Sequence, residues 1–283
     1  MLPLDLSSLK GKTCIITGGT GGLGNALVDA IASAGVNLVL ISRSKDKVDK
    51  KADEVKKNFK VEAKGFPADV NNKESLLNIK ENVVKEFKSF DYLINCAGGN
   101  YPKATASKEY LEEKDLNNLE GTFFDLDINE IKKVFDVNFI GSLLPTLVFS
   151  DSMVKNKYGS IINISSMSAY KPLTKVGMYS AAKSSINSFT MWLAVHFARV
   201  NVRVNAIAPG FFLTDQNRFL LTDEKTGELT ARGKKIISLT PMQRFGNPEE
   251  LKGLALFLLS DSAKFITGTI IPVDGGFSAY SGV

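Results

Sequence analysis

Residues 12–24, KTCIITGGTGGLG, pass from a β-branched apolar run into a glycine-rich turn. The next residues, NALVDAIASAG, have helical spacing and end at Gly35, a residue type that commonly terminates helices. Glycines in such a turn let the backbone and the helix N-terminus approach a pyrophosphate. Two overlapping motifs share the turn: G-x-G-x-x-G at Gly19, Gly21 and Gly24, and T-G-x-x-x-G-x-G at Gly18, Gly22 and Gly24. Because a strand precedes the turn and a helix follows it, the segment predicts a dinucleotide-binding unit.

The alternation of strands and helices continues along the chain. Further apolar runs are NLVLIS, VEAKGFPADV (ending at Asp69 and Val70), DYLINCAGG, GSIINIS, VRVNAIAPGFFLT and TIIPVDGG. Amphipathic segments separate them, one over about 73–87 and a long one that contains Asn138. No linker or internal repeat interrupts the pattern. It predicts an α/β fold: a doubly wound (Rossmann) seven-stranded parallel sheet with helices on both faces, in a single domain over residues 1–283.

Two connections are too long for this regular pattern, at about 99–127 and about 211–242. Both should leave the carboxyl edge of the sheet, where ligands of open α/β sheets bind. Long connections of this kind are often functional lids. We therefore expect them to frame a substrate.

Four polar residues near the fifth strand suggest catalysis. Ser165 and Ser166 follow that strand, and Tyr179 and Lys183 are four residues apart on the next predicted helix, so they share a face. An ammonium one turn away lowers the pKa of a phenol toward the range that acid–base catalysis needs. A serine hydroxyl can donate to a substrate oxygen as it gains charge. Alternatively, Tyr179 and Lys183 form an ordinary helix-surface pair.

The second strand ends at Ser42 and Arg43, where an acidic residue would bind the ribose of NAD. No Asp or Glu lies there, and Arg43 could meet the 2′-phosphate of NADP instead. NADP(H) is therefore favoured over NAD(H). The alternative is that Arg43 is merely exposed and Ser42 accommodates either dinucleotide.

Composition excludes several classes of protein. The net charge is +5, but the lysines at 45–60 alternate with acidic residues, which indicates a solvated helix face and no nucleic-acid partner. No apolar run is long enough to span a membrane and no signal peptide is evident. One histidine, His196, and two cysteines without metal-type spacing predict no metal site. Cys14 and Cys96 are expected as free thiols, consistent with a reducing, cytoplasmic location.

The motifs together resemble those of the short-chain dehydrogenase/reductase superfamily. They lie in order at residues 17–24, 95–98, Asn138, Ser166, Tyr179, Lys183 and Pro209-Gly210. Ser166 takes the serine position because it precedes Tyr179 by 13 residues, while Cys96 replaces a usual asparagine.

The resemblance implies a role for each motif. Tyr179 would protonate the carbonyl oxygen, Lys183 would bind the nicotinamide ribose and lower the tyrosine pKa, Ser166 would polarise the carbonyl, and Asn138 would hold a water that links Lys183 to solvent. The cofactor would also contact Gly18, Thr20, Gly22, Leu23, Gly24, Ser42, Arg43, Asp69, Val70, Asn95, Ala97, Gly98, Pro209, Gly210, Phe212 and Thr214.

Within the superfamily, residues 98–105, 123–127, 192–198, 205–218 and 273–283 look like those of the D-mannonate oxidoreductase (fructuronate reductase) group. A sugar-acid substrate would then be reduced, with Asn100, Lys103, Ser166, Gln216 and Arg218 as its contacts, and Lys103 and Arg218 as partners of its carboxylate. Other NADP-linked reductases, acting on a keto-gluconate or a 3-ketoacyl thioester, remain alternatives, as does a non-catalytic dinucleotide sensor. The resemblance also implies a homotetramer, with His196 as a packed or interface residue.

Overall fold

In the computed structural model, which describes residues 5–214, 217–223 and 226–282, seven parallel strands form one sheet in the order β3-β2-β1-β4-β5-β6-β7. This confirms the predicted fold. The strands are β1 (Thr13–Thr17), β2 (Asn37–Ser42), β3 (Ala63–Pro67), β4 (Tyr92–Asn95), β5 (Gly159–Ile164), β6 (Val202–Pro209) and β7 (Ile270–Val273). β3 ends two residues before Asp69, so Asp69 and Val70 follow the strand and do not end it.

Helices cover both faces of the sheet. They are α1 (Gly22–Ser33), α2 (Lys45–Phe59), α3 (Lys73–Phe87), α4 (Ile128–Phe135), α5 (Gly141–Asn156), α6 (Gly177–Phe197), α7 (Arg218–Leu221), α8 (Ala231–Ser238) and α9 (Lys252–Leu259). One hydrophobic core joins the sheet to α1, α2 and α9, and the other joins it to α3, α5 and α6. Side chains alternate between the two cores along a strand: Leu38 and Leu40 face the first, Val39 and Ile41 the second.

The strand order reverses between β1 and β4, which are hydrogen-bonded neighbours. Crossovers from β1 and β4 therefore leave toward opposite sides, and a crevice opens beyond the carboxyl ends of these strands. The glycine-rich turn follows β1 at this point. The fold thus places the predicted dinucleotide motif at the switch point.

The long helical segment of residues 128–156 is not uniform. α4 and α5 are joined by a π-helical turn, Asp136–Ile140, which contains Asn138. By length and composition alone the whole segment could cross a membrane, contrary to the expectation that no apolar run is long enough. Half of its apolar window is buried inside the protein, where α5 packs on α3 and β4, as expected of a core helix.

The two long connections contain short helical turns and contact each other. The first holds three 3₁₀ turns, Pro102–Ala104, Glu113–Asp115 and Phe123–Asp125, and the second holds α7 and α8. Lys235 of α8 forms an ion pair with Glu109 of the first connection at 2.5 Å. The amide of Ala106 also donates to the carbonyl of Lys175, just before α6. Both connections therefore lie on the same side of the molecule as the crevice.

Candidate active site

The glycine-rich turn is packed so closely that side chains are excluded. Gly18 has φ +68°, and a Cβ there would lie 2.8 Å from the Ala97 backbone. A Cβ at Gly24 would lie 2.2 Å from the Gly18 carbonyl oxygen, and one at Gly22 would lie 2.7 Å from Thr214 Cβ. α1 begins at Gly22, so its N-terminus faces the space left by the missing side chains. An anionic pyrophosphate fits such a position.

A cleft of about 900 Å³ runs from this turn along the carboxyl ends of the strands. Its walls include most residues that the sequence assigns to the cofactor: Gly18, Thr20, Gly22, Leu23, Gly24, Ser42, Arg43, Asp69, Val70, Ala97, Gly98, Pro209, Gly210, Phe212 and Thr214. Ser166, Tyr179 and Lys183 line the same cleft. The structure therefore brings the glycine turn and the catalytic candidates into one continuous site whose shape and backbone donors fit a nicotinamide dinucleotide.

Ser166 is oriented as a hydrogen-bond donor. It caps the 3₁₀ turn Met167–Ala169, and its Oγ accepts from the amide of Ser168 at 3.2 Å and from the Ser168 hydroxyl at 2.9 Å. With those acceptor positions filled, the proton of Ser166 is free to point into the cleft. Ser165, also buried, donates instead to Asn187 Oδ1 at 2.5 Å and so faces α6.

Tyr179 is held by a small hydrophobic cluster. Its ring packs against Ala104, Val134 and Ala182, which come from the first long connection, α4 and α6. Burial raises the pKa of the Tyr179 phenol above its ordinary value of 10.0, and the nearby Cys96 raises this pKa further. A hydrogen bond with Ser166 acts in the opposite direction and lowers the pKa. The phenol is therefore protonated at neutral pH and can act as a proton donor.

Lys183 is almost fully buried. Its Nζ donates to the Ile164 carbonyl at 2.8 Å and lies 5.8 Å from the centroid of the Tyr179 ring. Burial lowers the pKa of Lys183 to about 8, because desolvation disfavours the ammonium. The pKa of Tyr179 is therefore raised and not lowered, since burial of the phenol dominates, and an opposing effect of Lys183 stays a prediction.

Asn138 joins the site to the first long connection. Its Nδ2 donates to the carbonyls of Gly99 and Val134 at 2.7 and 2.8 Å, and its Oδ1 accepts from the Gly99 amide at 3.2 Å. A Cβ at Gly98 would meet both Asn138 Oδ1 and Lys183 Nζ, at 2.8 and 3.2 Å. π-turns are common at functional sites, and here one presents Asn138 toward Gly98. A water relay through Asn138 stays a prediction.

A family model described as enoyl-(acyl carrier protein) reductase matches residues 18–278. UxuB of Bacillus subtilis (strain 168), an uncharacterized oxidoreductase, is 47% identical, with all of both chains covered. The chain belongs to the short-chain dehydrogenase/reductase family. The predicted resemblance is thereby confirmed, and the protein is an NAD(P)-dependent oxidoreductase.

Two further relatives of this short-chain dehydrogenase/reductase carry more specific descriptions. A crystal structure of a candidate D-mannonate oxidoreductase from Haemophilus influenza, with NAD bound, is 44% identical with a TM-score of 0.92, and covers 99% of this chain and 100% of that one. The 3-oxoacyl-[acyl-carrier-protein] reductase FabG of Aquifex aeolicus (strain VF5) is 32% identical over 95% of this chain and 98% of its own.

Asn95 does not line the dinucleotide cleft of this oxidoreductase. It is buried in β4, and its Nδ2 donates to Thr146 Oγ1 of α5 at 2.9 Å and to Asn163 Oδ1 of β5 at 2.8 Å. Asn163 in turn donates to Thr190 Oγ1 of α6. The expectation of cofactor contact is therefore wrong: Asn95 belongs to a polar chain that ties the sheet to two helices.

Three of the predicted substrate contacts also lie outside the cleft, while Gln216 falls outside the described residues. Asn100 donates to Thr105 within its own exposed turn. Lys103 is exposed, and its backbone carbonyl accepts from the Asp127 amide. Arg218 begins α7 on the exposed side. These amide and cationic residue types suit a sugar acid. The sequence of an irregular connection, however, does not indicate which side chains point into the cleft.

Three residues that the sequence did not single out also shape the site. Asn217 accepts from the Thr214 amide and donates to the Phe212 carbonyl, both at 2.8 Å, which holds the second connection over the glycine turn. Lys47 and Tyr101 line the cleft as well. Asn217 stands three residues after Thr214, the spacing of a local side-chain cap, and that signal could have identified it.

Proposed function

We propose that this short-chain dehydrogenase/reductase reduces the ketone of a sugar acid, D-fructuronate, to the alcohol of D-mannonate. The observation that carries the proposal is the convergence of a donor-oriented Ser166 and a protonated Tyr179 on the cleft that also contains the glycine turn.

Ser166, Tyr179 and Lys183 would each have a separate role in the protonation of the substrate carbonyl oxygen. Ser166 would donate to the substrate carbonyl oxygen, so that the oxygen is polarised before it gains charge. Tyr179 would then transfer its proton to that oxygen. Lys183, close to the Tyr179 ring and charged below about pH 8, would stabilise the phenolate left behind. A bound nicotinamide dinucleotide supplies the hydride in this direction and accepts it in the other.

The packing around Tyr179 would keep the geometry fixed. Asn138 binds Gly99 through both polar groups of that residue, and Gly98 leaves room for Lys183 and Asn138 side by side. Water would be excluded from the proton donor by Ala104, Val134 and Ala182. Positioning of this kind lowers the barrier because the groups need little rearrangement during the reaction.

For the dinucleotide, we propose a preference for NADP(H). Arg43 and Lys47 both line the adenosine end of the cleft, and Ser42 and Thr20 share a hydrogen bond of 2.7 Å beside them. No Asp or Glu follows β2 directly. Two cations there suit a 2′-phosphate, although the related Haemophilus protein was solved with NAD.

The substrate assignment draws on the Haemophilus structure, described as a candidate D-mannonate oxidoreductase. A 3-ketoacyl thioester is the second candidate, because the Aquifex relative is named for that reaction. Lys175 and Arg232 lie near the site and favour the sugar acid, since a thioester chain offers no carboxylate beside the ketone.

We further propose a homotetramer in the cytoplasm. α5 and α6 present an exposed apolar stripe that includes Leu147, Met191, Trp192 and Val195, with Trp192 59% and Val195 78% exposed. His196 stacks on Trp192 at 5.1 Å between ring centroids, far from the cleft, as an interface residue would. Burial of this stripe against a second copy would remove a large apolar surface from water.

The test compares the wild type with Tyr179→Phe. NADH and NADPH oxidation are followed with D-fructuronate and with a 3-ketoacyl thioester. Wild-type turnover of D-fructuronate should fall about 100- to 10,000-fold in the variant, because the proton donor is lost. Dinucleotide affinity, measured by fluorescence, should be unchanged. A variant with wild-type turnover would reject Tyr179 as the acid, and preference for the thioester would reject the substrate.

A further inference from the structure

A second cavity, of about 340 Å³, adjoins the catalytic cleft. Phe211, directly after the Pro209-Gly210 turn, lines both spaces. Phe277, whose ring meets that of Phe211 edge-on at 5.4 Å, and residues of α8 also line the cavity. Residues 173–176, which lead directly into the helix of Tyr179, form another wall. A substrate whose ketone lies beside Tyr179 could therefore extend into this cavity.

The cavity carries an excess of positive charge. Lys175, Arg232 and Lys235 line it, together with the carboxylate of Glu109. Lys235 pairs with Glu109 at 2.5 Å, and this hydrogen bond is the main reason that the pKa of Glu109 lies below its ordinary value. Lys175 and Arg232 are close enough to lower that pKa further. One negative charge is thus shared among three cations.

Lys175 and Arg232 interact with Glu109 only at longer range. Among the described residues, neither side chain forms a hydrogen bond or an ion pair. Lys175 also has φ +72°, a backbone conformation that non-glycine residues rarely adopt, and its carbonyl is fixed by the amide of Ala106 at 2.8 Å. Strained backbone of this kind persists where the surroundings hold it and is concentrated at functional sites.

We propose that Lys175 and Arg232 bind the carboxylate of the substrate in this second cavity, while its ketone lies at Tyr179 and Ser166. The inference rests on the proposed function and replaces Lys103 and Arg218 as the carboxylate partners. Phe211 covers the carbon chain between the two groups. The chemical class is an anionic sugar acid whose carboxylate lies a few carbon atoms from the ketone.

The test uses Lys175→Met and Arg232→Met, with Lys234→Met as the control. Lys234 is exposed on α8, does not line the cavity, and its replacement removes the same charge. The KM for D-fructuronate should rise at least tenfold in each cavity variant, with kcat changed less than about threefold. Tenfold corresponds to about 1.4 kcal/mol, a modest loss for a charge-assisted hydrogen bond. The kcat/KM for the neutral ketose D-fructose should be the same in the cavity variants as in the wild type. Equal KM values for the control and the cavity variants would overturn the inference.

Calorimetry separates this claim from the proposed function. D-Mannonate is titrated into Tyr179→Phe protein loaded with dinucleotide, with and without Lys175→Met. A Kd at least tenfold weaker in the double variant supports the inference whether or not the enzyme turns over D-fructuronate. No binding of D-mannonate, or equal binding by both proteins, overturns it. Absence of wild-type turnover alone would instead reject the proposed function.

Discussion

Replacing Lys183 by Met should abolish turnover and yet make the protein more stable. Lys183 is 4% exposed, and burial lowers its pKa from 10.5 to about 8. Each pH unit of that fall corresponds to about 1.4 kcal/mol, so holding the ammonium in the folded protein costs about 3 kcal/mol at pH 7. Methionine carries no charge and fills a similar volume. It forfeits the hydrogen bond to the Ile164 carbonyl, which is a loss of about 1 kcal/mol. The net gain expected at pH 7 is therefore about 2 kcal/mol.

The pH dependence of this stability difference tests whether the Lys183 ammonium is its cause. The pKa of Lys183 is lower in the folded than in the unfolded protein, so between about pH 8 and 10.5 the unfolded state binds more protons. Wild-type stability from this group therefore rises with pH in that window and is lowest below about pH 8. The advantage of Lys183→Met should shrink from pH 7 to pH 10 and disappear near the upper end.

Urea unfolding of both proteins, without dinucleotide and at several pH values, measures the difference directly. Lys234→Met serves as the matched control and should differ little from the wild type at any pH, because Lys234 is exposed. A Lys183→Met protein less stable than the wild type at pH 7 would contradict a net cost of burying the Lys183 ammonium. So would a stability difference that stays constant with pH.

Two other expectations concern the dinucleotide. Gly24→Ala would put a Cβ 2.2 Å from a backbone carbonyl oxygen, so dinucleotide affinity measured by fluorescence should fall at least tenfold and the free energy of unfolding by about 1–3 kcal/mol. The control Gly253→Ala, in α9 with no atom within 4 Å of the added Cβ, should bind normally and be about 0.5–1 kcal/mol more stable; equal behaviour of the two variants would contradict the packing argument. Arg43→Ala should raise the KM for NADPH about ten- to a hundredfold and leave that for NADH nearly unchanged, because only NADPH carries a 2′-phosphate. Similar changes for both dinucleotides would reject the NADP preference.

The regular part of the fold could be predicted from the sequence because buried parallel strands are continuous apolar runs. NLVLIS and GSIINI coincide with β2 and β5. The glycine turn was predictable because a strand, a turn and a helix follow one another there. Side-chain direction was harder: Asn95 ends a strand next to the cleft, yet its amide points toward α5 and Asn163.

In the two irregular connections, the residues that face the site could not be predicted for a different reason. Lys103 and Arg218 lie in short helical turns of three and four residues, too short for a hydrophobic period in the sequence to indicate which residues face inward. The cations of the second cavity come from elsewhere: Lys175 from a left-handed position before α6, and Arg232 from the first turn of α8. The raised pKa of Tyr179 could not be predicted either, because helix spacing places Lys183 nearby but does not report burial.

The proposed reaction converts a keto sugar acid to its alcohol. The most direct measurement is an NMR analysis of D-fructuronate incubated with NADPH or NADH, with the dinucleotide consumed followed in the same sample by absorbance. We expect one D-mannonate formed for each dinucleotide oxidised, and none with Tyr179→Phe. Dinucleotide that stays reduced in the presence of D-fructuronate, or a product other than D-mannonate, would contradict it.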